Sequence, residues 1–140
     1  MKTSSLGRIL DAIAAYLDIC KIRTYDGEPA MKLETYLMMG DKSIIKILSA
    51  FDQLFSMKIR GDKDKADIAY SLVYDILKVF VDIAYSQGKV IDVSGGISYD
   101  EPIVKILKQL TGEEIIMHKK ITPGDNGISY GQNIVASLYE

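Results

Sequence analysis

The stretch that most constrains the fold is residues 90–100, which passes from a strand through two glycines into a helix. Residues 90–93 are mostly β-branched and predict a short buried strand. The residues that follow are Ser94, Gly95 and Gly96. Residues 100–102 (Asp-Glu-Pro) then open an amphipathic helix, because proline suits the first helical turn.

Two interpretations of this stretch remain open. A strand, a glycine turn and a helix N-terminus together can cradle an anion, because the backbone N–H groups point outward and the helix dipole favours negative charge. Gly95 and Gly96 lack a Cβ and permit a positive φ, so a phosphate can approach the backbone. The alternative is a plain strand-to-helix turn, since an isolated glycine pair is weak evidence for a ligand site.

Composition excludes several classes of protein. The chain has 140 residues, 48% hydrophobic and 26% charged, as expected of a single globular domain with a real core. The net charge of −2 gives no basic surplus for nucleic acid, and no apolar run is long enough to span a membrane. The only cysteine, Cys20, excludes an internal disulfide and is expected to be buried. The start of the chain lacks a signal-peptide core, so we expect a cytoplasmic protein.

The apolar periodicity predicts helices followed by a β-α-β-α order. Helices are expected from a Ser4 or Ser5 cap through to Cys20, and over residues 28–40, 43–57, 65–86, 101–110 and 130–138. Strands are expected at residues 90–93 and 114–118. A strand–helix–strand unit has parallel strands, and two strands are too few for a large sheet. We therefore expect another chain to complete the sheet.

A second glycine loop spans residues 122–132 and contains Asp125 just before the last helix. A carboxylate on a strand-to-helix loop can bind a divalent metal or position a nucleotide. The alternative is an Asx-turn or a helix cap, both ordinary structural roles for aspartate.

Four blocks of this sequence, residues 3–15, 25–34, 94–97 and 118–132, are similar to the patterns TSSxGRLFDAVAA, YEGQAAMxLE, SGGVFQN and HRQVPPNDGGISLGQ. With these blocks the chain resembles the C-terminal part of the HypF family, the carbamoyltransferases that mature nickel–iron hydrogenases. The blocks follow the family order and span nearly the whole chain.

The resemblance implies an α/β fold, namely a helix-rich lobe of an actin-like (ribonuclease H-like) ATPase fold with a small, mostly parallel sheet. Residues 1–140 would form the second lobe of the carbamoyltransferase domain. The family reaction passes a carbamoyl group, through a carbamoyl-adenylate, to the C-terminal cysteine of a partner protein. The residues implied at the nucleotide are Ser94, Gly95, Gly96, Asp100 and Gly127, and the implied ligand of a divalent metal is Asp125.

The sequence departs from the family pattern at several positions. The family's two metal-binding histidines belong to the other lobe, and a further family histidine aligns with residues 72–73, Leu-Val. Asp100 replaces an asparagine and places negative charge where a phosphate would come, which is unfavourable unless a metal intervenes. Asn126 replaces a glycine. We expect His118, the only histidine, to face solvent or to lie beside a ligand-binding residue.

These observations leave two functional hypotheses. In the first, the chain binds ATP or carbamoyl-adenylate, is inactive by itself, and requires a complementing lobe for carbamoyl transfer. In the second, it is a non-catalytic relic or a protein-interaction module that keeps only the fold. An independent metal enzyme is disfavoured, because one histidine and one cysteine do not make the usual ligand sets. In either case we expect an exposed apolar surface covered in a homodimer or by another polypeptide, with no nucleic acid or membrane partner.

Overall fold

The computed structural model describes residues 5–41, 57–88 and 90–139. Within these residues the chain forms five helices: α1 (Leu6–Tyr16), α2 (Glu28–Met39), α3 (Asp62–Gln87), α4 (Glu101–Thr111) and α5 (Ile128–Ser137). Two strands, β1 (Ile91–Val93) and β2 (Ile115–Met117), complete the regular elements together with short 3-10 turns at Gly96–Tyr99 and Asp125–Gly127. The predicted helix over residues 43–57 lies outside the described residues, apart from its last residue.

The sheet is small and parallel, as the sequence predicts. β1 pairs with β2, and Asp92 lies opposite Ile116 in the register. α4 connects the two strands, so β1, α4 and β2 form the expected strand–helix–strand unit. The fold is therefore a helix-rich α/β arrangement, in agreement with the predicted class.

The core lies between the first four helices and the inner face of β1. Its fully enclosed side chains include Leu10, Leu33, Leu77 and Ile103. Cys20 is also buried, as predicted. Burial of these apolar side chains is the main stabilising term for this part of the chain.

Three helix boundaries differ from the predictions. α1 ends at Tyr16, because Asp18 adopts a positive φ of 56° that interrupts the helix, and the apolar stripe continues into a buried turn. α3 begins at Asp62, three residues early, where its acidic first turn complements the helix dipole. α5 begins at Ile128, because the 3-10 turn before it continues directly into the helix.

Asp67 is a buried carboxylate within this helical layer. Burial alone would raise its pKa, but hydrogen bonds from the Lys63 ammonium at 2.7 Å and the Asp41 N–H at 2.9 Å outweigh burial and hold the pKa below its usual range. Asp67 therefore ties the end of α2 to the start of α3. Across the ranges described, no helix combines the length and apolar character needed to cross a membrane.

Candidate functional site

The carboxyl ends of the two parallel strands meet at one edge of the sheet. Ser94 follows β1 and His118 follows β2, and the Ser94 Oγ lies 3.2 Å from the His118 Nε2. Both side chains are exposed, as expected for His118. In open sheets of parallel strands, ligands bind outside this edge.

The two glycine loops are joined at the same edge. The Gly95 N–H donates to the Pro123 carbonyl at 2.8 Å, and the Ser94 hydroxyl lies 3.4 Å from the same oxygen. The Gly124 N–H donates to the Tyr99 hydroxyl at 3.3 Å. Loops that are more than twenty residues apart in sequence therefore form one surface.

Gly95 is the residue whose backbone requires glycine. Its φ is +89° with an extended ψ, a region that other residues rarely adopt, whereas Gly96 has no positive φ. The Gly95 N–H faces Pro123 rather than solvent, so one of the outward N–H groups expected of an anion cradle is already used. Gly96 and Ile97 are the first two residues of the 3-10 turn, so their N–H groups have no hydrogen-bond partner within that turn.

A cleft of about 730 Å³ opens beside these loops. One wall is apolar and comes from α1 and α2 through Leu6, Leu10 and Met31. The opposite wall contains Ser94, the 3-10 turn that begins at Gly96, and Asp100 just before α4. The apolar spacing predicts the helix but not that part of its apolar face forms the wall of a cleft, because a helical stripe gives no sign of where the packing ends.

A second groove, of about 600 Å³, adjoins the cleft, and Gly7 and Gly27 line both spaces. Its charged lining includes Arg8 and Asp11. The cleft and the groove together therefore combine apolar walls with the hydroxyls of Ser94 and Tyr99 and several charged side chains. Apolar walls with a small number of polar groups are typical of small-molecule sites.

Asp100 lines the cleft and caps α4. Its carboxylate accepts a hydrogen bond from the Ile103 N–H at 3.1 Å. Burial raises the pKa of Asp100 to about 6, and the nearby Glu34 carboxylate adds to the rise, although the Ile103 hydrogen bond opposes it. The cleft therefore contains two acidic side chains, of which one is held in place by the helix that it caps.

Glu28 is another carboxylate with a structural role, and its burial was not predicted from the sequence. It is buried at the start of α2 and accepts hydrogen bonds from the Thr24 N–H and hydroxyl. The Lys32 ammonium at 2.7 Å, followed by the Thr24 N–H, lowers the pKa of Glu28 to about 2. Glu28 fixes the turn that brings Gly27 to the cleft. The lysine four residues later was the available signal for this pair.

Asp125 is exposed at the first position of the 3-10 turn before α5. The described residues contain no group of three or more histidine, cysteine, aspartate or glutamate side chains that could hold a metal ion. A hard divalent cation prefers six or more oxygen ligands or retained water, and one carboxylate supplies too few of them. The residues described here do not by themselves make a metal site. Gly127 lies in the same turn, where an added Cβ would meet the Thr122 carbonyl oxygen at 2.5 Å.

Comparison with known proteins places these features in a family. Residues 1–132 match the family described as "Carbamoyltransferase, Kae1-like Domain, second subdomain". The probable carbamoyltransferase HypF of Methanocaldococcus jannaschii is 31% identical over 153 aligned positions, which cover 97% of this chain and 20% of that protein. The carbamoyltransferase HypF of Rhodobacter capsulatus is 28% identical over 148 positions, covering 96% of this chain and 20% of that protein.

The structural comparison agrees with the sequence comparisons. The crystal structure of T. kodakarensis HypF superimposes with a TM-score of 0.75 at 31% identity, covering 97% of this chain and 20% of that one. This chain thus spans about a fifth of the length of the relatives that it matches. On the fold, the sequence blocks and these matches, the chain belongs to the HypF family, as a counterpart of the second subdomain of the Kae1-like carbamoyltransferase domain.

Proposed function

We propose that this chain is one lobe of a carbamoyltransferase domain with an actin-like ATPase architecture, and that it binds ATP or carbamoyl-adenylate in the cleft beside β1. The observation that carries the proposal is the junction of the two glycine loops through Gly95 and Pro123 at the carboxyl edge of the sheet. That junction brings Ser94, His118 and the Asp125 turn to one surface beside a cleft large enough for a nucleotide.

In this proposal the two walls of the cleft bind different parts of the ligand. The apolar wall of Leu6 and Met31, with the buried Leu10 behind it, receives the base, since apolar walls with a few polar groups are typical of small-molecule sites. The phosphate or carbamoyl oxygens lie against the Gly96 N–H and the Ser94 hydroxyl. In the tautomer whose Nε2 carries the proton, His118 donates to the Ser94 Oγ, and the hydroxyl proton is then available to the Pro123 carbonyl or to the ligand.

The proposal requires a complementing lobe for catalysis. A divalent cation, when bound, would screen the charge of the phosphates, and Asp125 would supply one oxygen ligand to it. The remaining ligands would come from the other lobe. We therefore propose that this chain transfers no carbamoyl group by itself.

A specific observation favours the alternative, a non-catalytic lobe that keeps the fold. Glu34 and Asp100 both line the cleft, and their negative charges oppose an anionic ligand. At neutral pH Asp100, whose pKa is about 6, is mostly ionised. The alternative is then a lobe that binds another protein and no nucleotide.

Calorimetric titration with ATP, with and without magnesium, distinguishes the two functions. We expect magnesium-dependent binding that Asp125→Ala weakens about tenfold or more. The matched control is Glu114→Ala, which removes an exposed carboxylate just before β2, at the opposite end of the strand, and should leave binding unchanged. No heat from the wild-type chain at millimolar ATP would contradict nucleotide binding and support the alternative.

A further inference from the structure

Tyr99 connects the wall of the cleft to the second glycine loop. It is the last residue of the 3-10 turn that follows Gly95, and its side chain lines the cleft, where it is 56% exposed. Its hydroxyl oxygen accepts a hydrogen bond from the Gly124 N–H at 3.3 Å. Gly124 directly precedes the 3-10 turn Asp125–Gly127. One side chain of the cleft wall is therefore hydrogen-bonded to the backbone that leads into the Asp125 turn.

The absence of a side chain at Gly124 leaves room for the Tyr99 ring. A Cβ on Gly124 would lie 2.9 Å from the Tyr99 Cε2 and 3.2 Å from its hydroxyl oxygen. The φ of −94° at Gly124 is open to other residues, so glycine is needed here for space and not for backbone conformation. The ring and the loop backbone therefore limit each other's movement.

The second glycine loop is held at two neighbouring residues. The Pro123 carbonyl accepts a hydrogen bond from the Gly95 N–H at 2.8 Å. The next residue, Gly124, donates to Tyr99. The Gly124 carbonyl in turn accepts from the Gly127 N–H at 2.9 Å, which closes the turn. With Pro123 as the single attachment the turn could pivot, whereas the second attachment fixes its direction.

We propose that Tyr99 is a positioning residue, which sets where the Asp125 carboxylate lies relative to the cleft. This inference rests on the proposed function, in which Asp125 supplies one ligand to a cation that screens the phosphates. Magnesium demands near-ideal coordination geometry, so a displaced carboxylate binds it poorly. Tyr99 therefore acts, through Asp125, on the magnesium-dependent part of nucleotide binding.

Tyr99→Phe tests the hydrogen bond alone, because it keeps the ring in the cleft wall and removes the hydroxyl. In calorimetric titrations with ATP and magnesium, we expect the affinity to fall about threefold to tenfold, as for the loss of one hydrogen bond. Without magnesium the affinity should stay unchanged. The matched control is Tyr130→Phe, the same chemical change at an exposed tyrosine of α5 that does not line the cleft.

A double variant tests whether Tyr99 acts through Asp125. Tyr99→Phe combined with Asp125→Ala should bind ATP and magnesium no more weakly than Asp125→Ala does. A positioning residue has no further effect once the carboxylate that it positions is removed, so the two losses should not add.

Amide exchange in the chain without nucleotide measures the positioning by itself. The Gly127 N–H donates to the Gly124 carbonyl, so its exchange rate reports the turn and not the deleted hydrogen bond. We expect faster exchange at Gly127 in Tyr99→Phe, and also in Gly124→Ala, whose new Cβ would displace the ring. Tyr130→Phe should leave the rate unchanged.

Several outcomes would overturn the inference. These are an unchanged Gly127 exchange rate in Tyr99→Phe, an unchanged affinity for ATP with magnesium, an equal loss of affinity with and without magnesium, and an added loss in the double variant. If the wild type binds no ATP but Tyr99→Phe speeds exchange at Gly127, the proposed function is wrong and Tyr99 still positions the turn. ATP binding with an unchanged Gly127 exchange rate contradicts only the role of Tyr99.

Discussion

α4 and α5 are helices of similar length that follow the two strands of the sheet, yet their surroundings differ completely. α4 has 11 residues and buries Ile103, Ile106 and Leu107. α5 has 10 residues and buries none. The side chain of Ile103 is 0% exposed, whereas that of Ile134 in α5 is 46% exposed.

The two helices also begin differently. α4 has a side-chain cap, Asp100, whereas α5 follows Gly127 without a side-chain cap. Apolar residues at helical spacing predict a face that needs cover, but they do not say which element covers it. In α4 the rest of this chain covers that face. In α5 the apolar side chains face solvent close to Asp125, whose fellow metal ligands we propose come from the other lobe.

The largest expected effect compares the loss of stability when an apolar side chain is shortened in α4 and in α5. Ile103→Ala should lower the free energy of unfolding by about 2–5 kcal/mol, because it leaves a cavity in a fully buried site. Ile134→Ala, the matched change in α5, should alter it by less than about 0.5 kcal/mol. Urea unfolding followed by circular dichroism measures both. Equal losses would show that α5 packs on the core in solution.

A second pair of variants examines how α5 is joined to the site. Gly127→Ala should lower the free energy of unfolding by about 1–3 kcal/mol. The new Cβ would lie 2.5 Å from the Thr122 carbonyl oxygen, so the loop must shift. Gly131→Ala lies within α5, with no atom within 4 Å of the new Cβ, and should stabilise the helix by about 0.5–1 kcal/mol. Amide exchange of residues 128–137 reports both changes. Slower exchange in both variants would contradict the close approach at Gly127.

Much of the fold follows from local sequence signals. The strand at residues 90–93, the glycines after it and the proline at the start of α4 are short-range patterns, and the structure confirms the strand–helix–strand order. The resemblance to the HypF family covered both glycine loops, and the comparisons confirm the family. The roles of Ser94, Gly95, Gly96, Asp100, Asp125 and Gly127 at a ligand remain predictions.

The features that the sequence did not predict are long-range or depend on burial. The Gly95–Pro123 hydrogen bond joins distant loops, and no local pattern encodes that distance. Glu28 belongs to a residue type that is almost always exposed unless paired, so its burial follows from Thr24 and Lys32, which satisfy its oxygens. The exposure of α5 was not predictable either, because apolar spacing predicts a face that needs cover and does not say whether this chain covers it.

The smallest expected effect concerns the cap that distinguishes α4 from α5. The folded-state pKa of Asp100 is about 6, above the value near 3.9 typical of an unfolded chain. The folded state therefore favours the protonated carboxyl. The resulting stabilisation is present below about pH 4 and is lost as the pH rises to about 6. Asn at position 100 is still a good helix cap and has no charge to titrate. The free energy of unfolding of Asp100→Asn, relative to that of the wild type, should therefore rise by about 1 kcal/mol from pH 4 to pH 7.

Urea unfolding of both proteins at pH 4, 5, 6 and 7 measures this difference. The comparison cancels the contribution of Glu28, whose pKa of about 2 makes stability fall only as the pH drops below about 4.5. A difference that does not change with pH would contradict the raised pKa of Asp100. Asp100→Asn also removes a negative charge from the cleft and introduces the residue of the family pattern. If the cleft binds ATP, the same variant should therefore bind it more tightly at pH 7 than the wild type does.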